Sequence, residues 1–250
     1  MAEKPWNNVF ELVRPYVVRI STPSGSGTGF LVSRSPDGSF LALATAAHVV
    51  DHAHYWEQPI RIQHFASGKS LLLRHGERAI ILEEDKDTAA LTFSPGDMPF
   101  PADPLELAPE KRFLKVGLEI GWVGFPAVSN SDLCFFSGRV SAFRASEHAY
   151  LVDGVVINGV SGGPALFNGL DKAVVIGVVS AYIPNRATGV TLPGLSVIRD
   201  VSQFQSLAKA LKSLDEAKAK ESPPAEPPQG ATEPAAPTLS LQSTPPGQRG

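Results

Sequence analysis

The 250-residue chain predicts an all-β protein of antiparallel sheets, folded as sandwiches or barrels, with a helix near each end. Three observations predict it. Residues 16 to about 200 consist mostly of short apolar runs separated by Gly, Pro, Ser, Asp and Asn. Those runs are rich in β-branched and aromatic residues, which suit a pleated, half-buried surface. Long helical periodicity is missing from the same region.

The elements follow in order. "WNNVFELV", Trp6–Val13, reads as a short helix ahead of the strands. The strand candidates are "YVVRIS", "TGFLVS", "FLALATAA", "AIILEE", "AALTF", "EIGWVGFP", "RVSAF", "YLVDGVVI", "GPALF", "AVVIGVVSAYI" and "GLSVI". Each is short and ends at turn-forming residues, the pattern of all-β folds. A second helix is expected over about 200–218. There Val201, Phe204, Leu207, Leu211 and Leu214 recur at spacings of three and four and form one apolar stripe. Asp200 is its expected N-cap. Residues 219–250 carry "PPAEPP" and "TPPG", no aromatics and few aliphatics. Such a segment buries too little apolar surface to offset chain entropy, so a disordered tail is expected.

Composition excludes several function classes. The chain is 43% hydrophobic and 19% charged with a formal net charge of -3, and no Lys/Arg cluster stands out. Neither nucleic acid nor a membrane is an expected partner. The single cysteine, Cys134, has no partner for an internal disulfide and no companions for a cysteine zinc site. The start, "MAEKPWNNVFELVRPY", has no apolar run of signal-peptide length and no stretch reaches transmembrane length, so a cytoplasmic location is expected.

One stretch asks for chemistry. In "NGVSGGPALF", residues 158–167, Gly159, Gly162 and Gly163 surround Ser161. A serine hydroxyl becomes a useful nucleophile only with a base in hydrogen-bond reach and an orienting group behind that base. Acyl transfer also needs N–H donors aimed at the developing oxyanion. Glycines allow a tight turn to present those donors. The N–H groups of Gly159 and Ser161 are the candidates. A plain Gly-rich turn with an exposed serine fits the hexapeptide equally well, so the rest of the chain has to decide.

The base comes from six histidines, at 48, 52, 54, 64, 75 and 148, and all precede Ser161. "GVSGG" also fits the G-x-S-x-G elbow, but that arrangement needs a histidine after the serine. Chain order rejects it and leaves His, acid, Ser. His48 ends the apolar run "FLALATAAHVVD", where a strand end followed by a short helical turn holds an imidazole at the rim of a core. His52 and His54 lie in a more polar stretch. His48, Asp51, His52 and His54 contain zinc-ligand types, but no second cluster completes a site, and no metal or other cofactor is expected. For the acid, Asp87 in "EEDKDTAALTF" shares a strand face with Ala89 and Leu91 by period two. Partial burial then calls for a partner, and an imidazole N–H would serve. Asp85 is the alternative, whereas Glu83 and Glu84 suit solvent.

With these positions in hand the chain resembles the trypsin-like serine peptidases, most closely their HtrA (Deg) branch. "SGSGTGFLVS", "TAAHVVD", "DTAAL", "GWVGFP", "SGRVSA", "GVSGGPALF", "VIGVVSAYI" and "PGLSVIRDV" match in that order over about residues 24–202. The resemblance implies two six-stranded antiparallel β-barrels, about 16–100 and 112–200, within a protease domain spanning 1–218. It implies a catalytic trio of His48, Asp87 and Ser161 in the cleft between them, acting on protein or peptide substrates by hydrolysis of internal peptide bonds. The strand Ser180–Ala181–Tyr182 would pair with substrate. Val155, six places before the serine, with Leu195 and Ser196, would wall a pocket for a small or medium apolar side chain. Asp153 lies nearby, and a two-residue slip of that loop would change the preference.

The chain departs from the pattern at two points. Val160 stands where relatives carry aspartate or asparagine, so activation through an ion pair there is not expected. No PDZ domain is expected, since the tail is too short for one. These departures motivate an alternative, a catalytically silent module of the same fold that binds peptides or protein partners. The complete His/Asp/Ser set argues against it. An esterase on the same trio is a third reading.

Overall fold

The computed structural model describes residues 5–35, 37–110, 113–129, 131–169, 172–185 and 192–221. The 219–250 tail lies outside the described residues except for its first three positions. Two sheets carry the fold. The first contains β1 (Val17–Thr22), β2 (Gly25–Arg34), β3 (Leu41–Thr45), β4 (Ile60–His64), β5 (Ser70–Leu73), β6 (Arg78–Glu83) and β7 (Thr88–Phe93). The second contains β8 (Glu119–Gly124), β9 (Cys134–Arg144), β10 (Ala149–Asp153), β11 (Pro164–Asn168), β12 (Ala173–Asn185) and β13 (Leu192–Asp200). Helices α1 (Trp6–Val13), α2 (Ala47–Tyr55) and α3 (Ser202–Glu221) complete it. Among the described residues no helix is long and apolar enough to cross a membrane.

The second sheet closes into a six-stranded antiparallel barrel in the order β10-β13-β12-β11-β8-β9. The first differs from the expected closed six-stranded barrel. It is an open, seven-stranded half-barrel in the order β5-β4-β1-β2-β3-β7-β6. No ladder joins β5 to β6, because the Arg78 guanidinium occupies the seam. It donates to the Leu73 carbonyl at 2.8 Å, to Ala53 O at 3.0 Å and to Gln58 O at 2.6 Å. The Ala53 carbonyl lies in the last turn of α2, where a cation also complements the helix dipole, and Gln58 follows just beyond the helix. Burial pulls the guanidinium pKa below its usual value, and three carbonyl acceptors compensate the desolvated charge. Arg78→Met keeps the stem and leaves those carbonyls unpaired. It should lower unfolding stability by about 2 kcal/mol, read from urea titration, and an unchanged midpoint would refute the seam's role.

β2 and β3 are buried on both faces, and this positions everything that follows. Leu31 and Leu43 enter the core of the half-barrel with Val18, Ile20 and Leu91. Phe30, Val32, Ala42 and Ala44 face the opposite way and join the core of the closed barrel with Trp122, Val123 and Val178. Period-two alternation thus makes one strand pair the wall between two cores. Each fully buried Leu, Val or Phe contributes about 2 kcal/mol of hydrophobic stabilisation. The α1 residues Val9 and Val13 seal the same closed-barrel core.

The helix expected over 200–218 begins at Ser202 and continues to Glu221. Asp200 Oδ1 accepts from the Ser202 N–H at 3.0 Å, which satisfies one orphan donor of the first turn. Val201 and Phe204 of its stripe are buried, and the Leu211 and Leu214 side chains lie outside the described residues. The "short helical turn" after β3 is a nine-residue helix, α2.

Candidate active site

α2 starts two residues after β3 ends, so His48 stands in its first turn, next to the two-faced wall. Asp87 ends a short 3-10 turn, Glu84–Lys86, and leads into β7, which pairs with β3. Its φ is +47° and ψ +48°, a left-handed conformation that aspartate enters more readily than most residues. That conformation turns the carboxylate onto α2. The His48 Nδ1–H lies 2.9 Å and 3.0 Å from the two Asp87 oxygens, and the His48 backbone N–H donates to Oδ1 at 3.1 Å. A carboxylate can only accept here, so the contact fixes the tautomer with the proton on Nδ1 and leaves Nε2 as an acceptor. The imidazole side chain is 48% exposed and the carboxylate 20%.

The electrostatics follow from this pairing. The hydrogen bond to Asp87 raises the His48 pKa above its ordinary value, with burial opposing and the Asp87 and Asp51 charges assisting. For Asp87, burial pushes upward, but the hydrogen bonds from His48 and Ser180 outweigh it, and the net result lies below the usual carboxylate range. The acid therefore stays ionised while the imidazole titrates.

Ser161 reaches this pair through Ser180. The Ser180 hydroxyl donates to Asp87 Oδ2 at 2.5 Å, and the Ser180 carbonyl accepts from the Ser161 hydroxyl at 3.0 Å. No hydrogen bond joins Ser161 directly to His48. One residue of β12 thus touches both the acid and the serine.

The glycine pattern resolves into backbone geometry. Gly159 has φ +90° and Gly162 φ +88°, a region that favours glycine. A Cβ on Gly162 would stand 2.0 Å from the Thr28 carbonyl. The Val160 N–H donates to Ile157 O at 3.1 Å, which closes a four-residue turn with Gly159 at its third position, the type II requirement. The Ala127 N–H holds Asn158 O at 2.7 Å, so the trans peptide directs the Gly159 N–H to the opposite side. Among the described residues neither the Gly159 nor the Ser161 N–H has a protein acceptor. Val160 is fully buried in the closed-barrel core. A Cβ on Gly124 would stand 2.8 Å from its Cα. Apolar packing therefore anchors the turn at this position.

Sequence reasoning missed Thr28. Its N–H donates to Ser161 O at 2.8 Å, and its hydroxyl donates to Gly159 O at 2.8 Å. That hydroxyl also accepts from the Phe125 N–H at 3.0 Å. It ties the half-barrel to both residues of the turn. The available signal was a threonine between Gly27 and Gly29, just ahead of the apolar run Phe30–Val32.

The remaining assignments separate. Val155 is half exposed. Ser196 is fully buried, and its hydroxyl donates to Gly154 O at 2.7 Å. Leu195 packs with Ala142, Ala149, Leu151 and Val197, on the opposite strand face from Ser196. Ala181 is exposed, and the Tyr182 side chain lies outside the described residues. Asp153 is exposed, opposite Arg139 in the β9–β10 ladder. The other histidines have local partners. His64 is buried between Pro15 O and Ser67, and His148 bonds Asp200 at the start of α3. Among the described residues no three metal-ligating side chains cluster.

Comparison with known proteins addresses the fold and the family. A family model described as a trypsin-like peptidase domain matches residues 27–178. No curated protein matches the sequence. Several solved structures share the fold at low identity. The crystal structure of Deg5 is 20% identical with a TM-score of 0.61, covering 80% of this chain and 90% of that one. The serine endoprotease from Yersinia pestis is 17% identical with a TM-score of 0.60, covering 84% and 68%. The inactive form of the Rv3671c protease from M. tuberculosis is 21% identical with a TM-score of 0.57, covering 84% and 98%.

Proposed function

The chain belongs to the family of trypsin-like peptidase domains, and from that premise we propose that it is a serine endopeptidase working through His48, Asp87 and Ser161. The observation that carries this reading is the doubly hydrogen-bonded His48–Asp87 pair joined to Ser161 through a single residue, Ser180.

For the reaction the Ser161 hydroxyl has to leave the Ser180 carbonyl and donate to His48 Nε2 instead. Hydrogen bonds of this kind commonly tighten only when substrate is bound. Oγ then attacks the scissile carbonyl carbon while its proton passes to Nε2. The carbonyl oxygen becomes an oxyanion between the Gly159 and Ser161 N–H groups. The C–N bond breaks, the Nε2 proton goes to the departing amine, and an ester to Ser161 remains. Water adds to that ester with His48 again taking and returning a proton, which releases the acid. Asp87 stays a carboxylate throughout and stabilises the imidazolium. Residues before the cleaved bond would pair with Ser180–Tyr182. Val155 borders the pocket for the side chain next to it, for which a small or medium apolar group is the proposed preference.

A second reading, a silent peptide- or partner-binding module, rests on the Ser161 hydroxyl donating to Ser180 rather than to His48. A fluorophosphonate probe decides between them. The peptidase reading expects an adduct on Ser161 by peptide mass mapping. The labelling rate should rise with pH as His48 loses its proton, with a midpoint above the ordinary histidine value of about 6.5. Absence of an adduct at every pH where the protein remains folded would favour the binder.

A further inference from the structure

The proposed trio spans both sheets. His48 and Asp87 belong to the half-barrel, whereas Ser161 stands just ahead of β11 in the closed barrel. Their alignment depends on what ties the Asp87 segment to the closed barrel. Ser180 supplies one tie, at the carboxylate itself. A second lies one residue further on. The Thr88 hydroxyl donates to Gln203 Oε1, in the first turn of α3.

The strand pattern aims Thr88 at that helix. In β7, Ala89 and Leu91 enter the half-barrel core, so alternation turns Thr88 and Ala90 to the opposite face. Ala90 joins the closed-barrel core there. Thr88 is buried, and a buried hydroxyl needs a partner. The helix that supplies one is anchored elsewhere. Val201, just ahead of α3, and Phe204 within it pack in the closed-barrel core, and the Gln205 amide donates to the Ala108 carbonyl. The Gln203 amide is used at one end only. Its Oε1 accepts from Thr88, while Nε2 is buried with no partner among the described residues. An unpaired buried donor is unfavourable, so what this residue contributes is its acceptor.

The segment held by this bond has an uncommon backbone. Asp87 lies at φ +47°, and a non-glycine residue stays in that region only where its surroundings fix it. The Asp87 N–H closes the turn onto Glu84 O at 2.9 Å. The Tyr55 hydroxyl holds the Glu84 carboxylate at the front of the turn, and Gln203 holds Thr88 at its back.

We propose that Gln203 is a positioning residue: through Thr88 it holds the Asp87 turn so that the carboxylate stays seated on His48. The start of α3 thereby becomes part of the support of the proposed active site. The inference deepens the peptidase reading and rests on it for the effect on rate. The charges that bear on His48 are Asp87, from the turn ahead of β7, and Asp51, from its own helix. Gln203, Thr88 and Ser180 carry none. A change in His48 titration on altering Gln203 thus reports a moved carboxylate rather than a lost charge.

Gln203→Met keeps the side-chain length and removes the acceptor. Thr88→Val keeps the branched shape and removes the donor. Each single variant should lower kcat by about tenfold with KM unchanged, because a small displacement of a catalytic group acts on the transition state. Each should also move the His48 midpoint downward, read by NMR titration of the imidazole, since a loosened carboxylate supports the imidazolium less. The single variants leave one buried partner unpaired and should unfold at lower temperature, whereas removing both partners together is nearly neutral for stability. The Thr88→Val, Gln203→Met double variant should therefore regain the wild-type thermal midpoint while kcat and the His48 midpoint stay displaced. A purely structural role predicts that rate and titration recover with stability, and that outcome would overturn the inference. Wild-type kcat and His48 midpoint in both single variants would sink it as well and leave the peptidase reading standing. Failure of the wild type to cleave any substrate sinks the peptidase reading. The imidazole titration needs no turnover and still decides whether Gln203 holds the pair.

Discussion

Ser161→Ala is expected to reduce cleavage of a denatured protein by about a thousandfold or more, as removal of a nucleophile does, with the fold intact. The chemistry requires Oγ because it forms the bond to the acyl group; no neighbouring hydroxyl is placed to replace it. The Ser180 hydroxyl is committed to Asp87. The structural cost is small, because the Ser161 hydroxyl makes one hydrogen bond, to the Ser180 carbonyl, worth about 1 kcal/mol. The backbone contacts of the turn, Thr28 N–H to Ser161 O and Gly162 N–H to Val179 O, do not involve the side chain. Product analysis after overnight digestion measures the first effect, and the thermal unfolding midpoint measures the second. Undiminished cleavage by the variant would reject the proposed function.

Asp87→Asn should lower kcat by about 10⁴ while leaving KM nearly unchanged. An asparagine is nearly isosteric, so the left-handed turn before β7 persists. Its amide, however, presents one acceptor and one donor to a site that supplies only donors: His48 Nδ1–H, the His48 backbone N–H and the Ser180 hydroxyl. The imidazole then loses its fixed tautomer and the charge that stabilises its protonated form. The hydrogen bond to Asp87 is the main cause of the raised His48 pKa, so its loss moves the pH midpoint of the residual activity downward. The sign follows from the base. His48 acts when neutral, activity falls as pH drops through its pKa, and a lower pKa shifts that fall to more acidic pH. A rate near that of the wild type, or a midpoint that moves upward, would contradict the assigned role.

Val160 bears on both expectations. It sits in the core against Gly124, and its N–H closes the Gly159 turn onto Ile157 O. Nothing ionisable holds the turn at that position, so the pH response of the proposed reaction belongs to His48.

Much of the sheet architecture was readable from local pattern. Apolar runs with turn residues between them marked most strands, because side chains in a strand alternate with period two whatever the strand pairs with. Two strands escaped. β4, "IRIQH", buries Ile60, Ile62 and His64 and exposes the residues between, but a histidine in a buried position weakens the apolar signal. β5 is four residues long with one buried side chain. The open seam between β5 and β6 had no readable sign, since it depends on where the Arg78 guanidinium lands.

The candidate site divides in the same way. Residue types and chain order selected His48, Asp87 and Ser161, because each belongs to a local pattern: a strand end, a strand start and a glycine turn. The glycines at 159 and 162 likewise declared a backbone that other residues adopt at a cost. What only the folded molecule decided is which distant groups meet. Ser180 became the junction between acid and serine, and Thr28 the tie between the two sheets. Local sequence encodes backbone preference and the face a side chain takes, whereas such meetings depend on strand register and barrel packing summed over more than a hundred residues of chain.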